Sequence, residues 1–116
     1  DPYEMRIVAG ILKKRLEVGI PLQIDTTLCY IKEIEGKECL PITKAEKTMD
    51  SPYNTYLHQG FPPAPISNPG LDSIRAALNP ANSPYLYYVS DPLTGRTVFG
   101  KTLDEHNQNV IKYLSE

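Results

Sequence analysis

Between Ser51 and Gly70 the chain reads SPYNTYLHQGFPPAPISNPG, with prolines at positions 52, 62, 63, 65 and 69. That spacing excludes a regular helix or a central strand, because each proline lacks an amide donor and fixes its own φ. Proline also pushes the preceding residue toward extended backbone, so Phe61 to Pro65 is expected as a short polyproline-like stretch within a stiff loop. A stiff loop holds its side chains still. Tyr53, Asn54, Thr55 and Tyr56 set hydroxyls and an amide beside flat apolar rings. This combination suits a polyhydroxylated ligand such as a sugar, and it equally describes a structural clamp over a small core.

A length of 116 residues implies one domain, or a piece of one, with a modest core. Charges of both signs are interspersed and sum to −2, with no Lys/Arg cluster interleaved with aromatics, which argues against nucleic acid as a partner. No apolar run reaches the ~18 residues of a membrane span, and no charged-then-apolar leader opens the chain. The chain starts at Asp1 and enters a helical pattern almost at once, so we expect it to have been cut from something longer. Cys29 and Cys39 fit no metal or redox spacing. They either bridge across a turn at Gly36, as an oxidising compartment allows, or serve as two small hydrophobes, the commoner use. His58 and His106 lie in different segments with no cysteine near either, so no metal site is expected.

From Glu4 to Val18, Met5, Val8, Leu12 and Leu16 recur at helical spacing, with Ile7, Ala9 and Ile11 widening the stripe. Lys13, Lys14 and Arg15 suit the negative end of that helix and read as a solvated face, and Gly19 then Pro21 supply the stop. In LQIDTT, Asp25 is placed to cap a short helix beginning at Thr26. A capping carboxylate is stabilised as the anion, the wrong direction for a general acid, so Asp25 reads as structural. Gln23 reads either as a sugar contact or as a buried amide satisfying a loop. Glu33 to Leu40 alternates charge around Gly36, as an exposed turn or short hairpin does. Thr43 with Glu46 forms a capping box for one or two helical turns.

Past the central loop, Asn68 is expected to cap a helix whose first residue is Pro69, followed by Gly70, with Leu71, Ile74 and Leu78 on its buried side. Tyr85–Ser90 and Arg96–Gly100 read as two strands of a hairpin. Thr102 with Glu105 boxes the start of a last helix whose apolar stripe is Leu103, Val110, Ile111 and Leu114, and His106 reads as a surface or partly packed residue. The fold expected is α+β: four or five helices around one small antiparallel hairpin, with the proline-rich loop lining a groove.

The runs SPYNTY, GFPPAPISNPG, AALNPA and YLYYVSD, with LQIDTT before them and EHN after, resemble the MltG/YceG-like endolytic murein transglycosylases, once labelled aminodeoxychorismate lyase-like. The likeness covers the whole chain in order, so residues 1–116 are expected as a single domain, the C-terminal portion of that family's catalytic domain. It implies cleavage of MurNAc–GlcNAc bonds within peptidoglycan strands to give 1,6-anhydroMurNAc ends. One glutamic acid protonates the glycosidic oxygen and then, as carboxylate, helps the sugar's own 6-hydroxyl close on C1. By the resemblance that glutamate falls upstream of Asp1, so no catalytic residue is expected within the 116 residues, which should be inactive alone. Because the nucleophile belongs to the substrate, what remains for this chain is positioning and charge stabilisation. Gln23, Tyr53, Asn54, Thr55, Tyr56 and Asn68 are the candidate substrate-binding residues, with Asp25, Pro69 and Gly70 structural.

The same resemblance implies no cofactor, a membrane anchor outside this sequence, a place on the extracytoplasmic face of the plasma membrane, and partners among cell-wall synthesis proteins. Thr97 stands where the family often carries a histidine, and Thr26 where it has proline. The alternative, from another class, is a non-catalytic glycan-binding module of the cell envelope. A literal lyase would require pyridoxal phosphate, hence a Schiff-base lysine and a phosphate cradle. The lysines here sit in polar, charge-rich surroundings, and no glycine-rich turn opens a helix after a strand.

Overall fold

A computed structural model describes the protein over residues 2–39 and 42–114. Among the described residues it holds four α-helices, one 3-10 turn and a two-stranded antiparallel sheet, the α+β architecture expected. The helices are α1 (Pro2–Val18), α2 (Asp25–Ile34), α3 (Leu71–Leu78) and α4 (Leu103–Leu114); the strands are β1 (Tyr87–Ser90) and β2 (Thr97–Gly100). By compactness the chain divides into two units, one made of Asp1–Lys14 with Pro69–Glu116 and the other of Arg15–Asn68. Helix α1 gives residues to both.

In the first unit the buried apolar residues are Ile11, Ala76 and Val89. Gly10 lets the backbone of α1 meet the segment after α3: a Cβ there would collide with the Ala81 carbonyl oxygen, while the Ala81 amide donates to Arg6 O at 2.9 Å. Lys14 is half-buried and its Nζ donates to the carbonyls of Ser83 and Tyr85, so it anchors the approach to the hairpin rather than facing solvent as expected. Tyr87 pairs with Gly100 and Ser90 with Thr97, and the connecting turn is tied by the Asp91 side chain, which accepts from Leu93 N and Thr94 Oγ1 at 3.0 Å each. Gly95 supplies the positive φ of +71° that this turn needs. Helix α4 packs on both strands. There His106 stacks on Tyr87 at 5.1 Å, Asn109 Nδ2 donates to Phe99 O at 3.3 Å, and Thr102 Oγ1 accepts from Glu105 N at 3.1 Å.

Two expected burial patterns are corrected. Leu71, Ile74 and Leu78 of α3 are exposed, and only Ala76 of that helix is buried. On α4, Leu103, Ile111 and Leu114 are exposed as well, and the face turned to the hairpin carries His106 and Asn109 instead. Helical spacing identifies the side of a helix that favours burial; whether burial occurs depends on what packs there. The cap of α3 is corrected too: its N-cap is Gly70, in extended backbone with no side-chain cap, so Pro69 and Asn68 both precede the helix.

In the second unit α1 and α2 end alike. Gly19 takes φ +77° and Ile20 N donates to Arg15 O; Gly36 takes φ +75° and Lys37 N donates to Lys32 O. Each is a left-handed glycine closing a Schellman turn. Gly36 therefore terminates α2 and is not the centre of a hairpin. Cys29 and Cys39 form a disulfide across that terminus, with Cα atoms 5.1 Å apart. Leu40, the last residue of the expected Glu33–Leu40 turn, lies outside the described residues. The Thr43–Glu46 capping box is present in both directions, Thr43 N to Glu46 Oε1 at 3.0 Å and Glu46 N to Thr43 Oγ1 at 3.1 Å, ahead of the 3-10 turn Glu46–Thr48.

Candidate functional site

The second unit is built around buried polar residues. Thr27, Asn54 and Thr55 are almost wholly inaccessible, alongside Leu22 and Leu28. Asn54 Nδ2 donates to the carbonyls of Lys47 at 3.0 Å and Met49 at 2.9 Å, and its Oδ1 accepts from Tyr56 N at 2.9 Å. Its backbone carbonyl accepts from the amides of Leu57 and His58. Such a side chain holds the loop's shape and has no group to offer a ligand. Thr55 Oγ1 accepts from Ile24 N at 2.8 Å and lies 3.1 Å from Thr27 Oγ1, while the Thr55 carbonyl accepts from Gln23 N at 3.1 Å. The proline-rich run and the LQIDTT segment are thus laced together backbone to backbone and backbone to side chain.

That lacing sets what reaches the surface. Gln23 is exposed, which decides against a buried amide, and it takes φ +54°, a left-handed conformation that costs a non-glycine residue about 1 kcal/mol and is held here by its bond to Thr55. Asp25 is corrected from cap to first helical residue. The N-cap is Ile24, with no side-chain cap, and the Asp25 carboxylate instead accepts a hydrogen bond from Tyr56 Oη. Lys47 Nζ stands over the Tyr56 ring, 5.0 Å from its centroid. Tyr53, half-buried, lies against Tyr30 with centroids 5.1 Å apart. Asn68 is exposed at the end of the run, and Phe61 within it is 76% exposed. Of the six candidate contacts, then, Gln23, Tyr53, Tyr56 and Asn68 keep surface, whereas Asn54 and Thr55 lie beneath.

Two charged groups are buried here, and for Arg15 this corrects the expected solvated face. Arg15 is 5% exposed, its Nη1 donating to Pro21 O at 2.8 Å. Lys32 is 7% exposed and pairs with Glu46 Oε2 at 2.8 Å. The hydrogen bond from Lys32, helped by the Thr43 amide, holds the Glu46 carboxyl below the usual carboxylate range. A signal for both was present: Arg15 falls four residues after Ile11 and Lys32 four after Leu28, so each continues a buried helical stripe.

The sequence matches the YceG-like family over residues 1–112. The chain belongs to that family. It is 41% identical over 108 residues to an endolytic murein transglycosylase of Bacillus subtilis, covering 93% of this chain and 29% of that protein. An endolytic murein transglycosylase of Streptococcus pneumoniae is 31% identical, over 97% of this chain and 21% of the relative. The crystal structure of a yceG-like protein from Listeria monocytogenes superposes with a TM-score of 0.82 at 41% identity, over 90% of this chain and 33% of that one. The chain therefore spans a third or less of the length of these YceG-like relatives.

Proposed function

We propose that this chain is the glycan-holding, C-terminal part of the catalytic domain of a peptidoglycan lytic transglycosylase, acting on MurNAc–GlcNAc bonds within strands to leave 1,6-anhydroMurNAc ends. The observation that carries this reading is the set of exposed Gln23 and half-buried Tyr53 and Tyr56 seated on the buried Asn54–Thr55 frame, in a chain 41% identical to an endolytic murein transglycosylase. Aromatic rings with neutral hydrogen-bonding groups favour sugar faces and hydroxyls, and a frame fixed before binding lowers the entropy lost on ordering a flexible glycan. In this reading Asn68, exposed at the end of the run, is a further glycan contact, and Asp25 acts through Tyr56 by holding its hydroxyl.

The proton donor of the reaction is assigned to a glutamic acid upstream of Asp1. Glu46 is unsuited to that task, because its carboxyl is held low and it is engaged by Lys32. Within this reading the 116 residues orient the strand, and the sugar's 6-hydroxyl supplies the nucleophile. The protein works in the cell envelope on the outer face of the plasma membrane, alongside wall-synthesis proteins. Among the described residues no helix is long and apolar enough to cross a membrane.

The test compares the 116 residues with a longer version carrying the upstream glutamate. Both are incubated with purified peptidoglycan strands, and anhydro ends are sought by mass spectrometry. Anhydro ends from the longer protein alone are the expected result. If both bind strands and neither produces such ends, the chain is a non-catalytic glycan-binding module and the enzymatic reading falls.

A further inference from the structure

Beneath the exposed Gln23 lies a buried cation. Arg15 Nη1 donates to Pro21 O at 2.8 Å and reaches Gln23 Oε1 at 3.5 Å. A guanidinium carries donors and no acceptor, so of the two ends of the Gln23 amide only the oxygen can face it; the reversed amide would set NH2 against the cation. The backbone from which this side chain springs is fixed, since the Gln23 amide, at φ +54°, donates to Thr55 O at 3.1 Å and the next amide, Ile24 N, donates to Thr55 Oγ1 at 2.8 Å. The side chain is nevertheless exposed.

We propose that Gln23 presents its Nε2 amide group outward as a donor of fixed polarity and thereby selects N-acetylated over N-deacetylated sugars, with Arg15 as the positioning residue that sets this polarity. The inference rests on the glycan-holding reading above. A sugar hydroxyl both donates and accepts and satisfies an amide in either orientation. The acetamido carbonyl only accepts and is matched by the NH2 end alone, whereas the ammonium left by deacetylation carries only donors and is mismatched. An orientation locked from below thus converts an adaptable side chain into a discriminating one.

The test measures binding of the 116-residue chain to purified peptidoglycan strands before and after N-deacetylation, by calorimetry, with a thermal melt of each variant. One matched hydrogen bond predicts about a fivefold to tenfold preference of the wild type for acetylated strands. Gln23→Met, neutral and of similar length, should retain the melt and lose the preference. Gln23→Glu, which offers only acceptors, should reverse it. Arg15→Lys keeps a donor beneath the amide and should preserve much of the preference, which Arg15→Met should weaken. Should Arg15→Met fail to fold, the two Gln23 variants decide alone. An unchanged preference in Gln23→Met overturns the proposal. If wild type binds neither form of strand, it is the glycan-holding reading that falls.

Discussion

The two compact units fill their interiors with different proportions of apolar and polar side chains. In the unit that carries the hairpin, the buried apolar side chains are Ile11, Ala76 and Val89, a polar one, Asp91, is buried at the turn, and close approach is achieved by leaving side chains out: Gly10 admits the Ala81 carbonyl, and Gly100 lies where a Cβ would come 3.3 Å from His106 N. In the Arg15–Asn68 unit, Asn54, Thr55, Thr27, Arg15 and Lys32 are buried with Leu22 and Leu28, and shape is set by directed hydrogen bonds. An apolar interior tolerates changes of identity that keep volume; a polar one tolerates almost none, because each unpaired group left behind costs about 1–3 kcal/mol. The polar mode suits the unit that holds the candidate site, since hydrogen bonds fix the direction of an exposed side chain and apolar contact alone does not.

The contrast is sharpest at Gly10. Alanine normally favours a helix over glycine by about 1 kcal/mol, yet here its methyl would meet backbone of the segment after α3. Gly10→Ala is expected to destabilise by about 3 kcal/mol in urea unfolding. A neutral or stabilising result would show that this unit gives way easily and would break the comparison. At the polar interior, Asn54→Ala removes two donors and an acceptor from buried backbone partners and should cost about 3 kcal/mol. Asn54→Leu, which restores volume without the bonds, should be little better, and rescue by Leu would mean that the interior is held by packing after all.

The disulfide gives a more local test. Cys29 and Cys39 are ten residues apart in sequence, and opening a loop of that size should cost about 2.5 kcal/mol. In the Cys29→Ser, Cys39→Ser double variant, amide hydrogen exchange should accelerate in α2 and remain unchanged in β1 and β2; equal acceleration in both would merge the two units into one cooperative block. The smallest effect concerns pH. Because Lys32 holds Glu46 below its ordinary value, the contribution of the pair is complete above the pH where a free glutamate titrates and is lost as pH falls through the lowered folded value. Glu46→Gln should flatten the acid side of a stability–pH curve, and a curve of unchanged slope would leave the pair without a role.

Capping chemistry was legible without any structure. The Thr43–Glu46 box, the Thr102 start of α4 and the glycine stop of α1 rest on interactions within four or five residues, and each is present. The hairpin was legible in the same way, from β-branched and aromatic strands around an Asp-to-Gly turn. The candidate site was legible only in part. The run Tyr53–Tyr56 was identified as a unit, but its members divide: Asn54 and Thr55 face inward and Tyr56 engages Asp25, a partner 31 residues away. The caps assigned to Asp25 and Asn68 failed because Ile24 and Gly70 hold those positions, the first tied to Thr55 and the second in extended backbone.

Sequence alone determined the family, the kind and order of the elements, the stop of α1 and the starts marked by Thr43 and Thr102, since these depend on periodicity, on local caps and on residues whose φ is restricted. Tertiary structure decided which polar groups are buried, which apolar stripes remain exposed, and which way Gln23 faces. Those outcomes depend on partners distant along the chain, as Thr55 is to Ile24 and Ala81 to Gly10, and a one-dimensional pattern records what a residue favours without recording what it will meet.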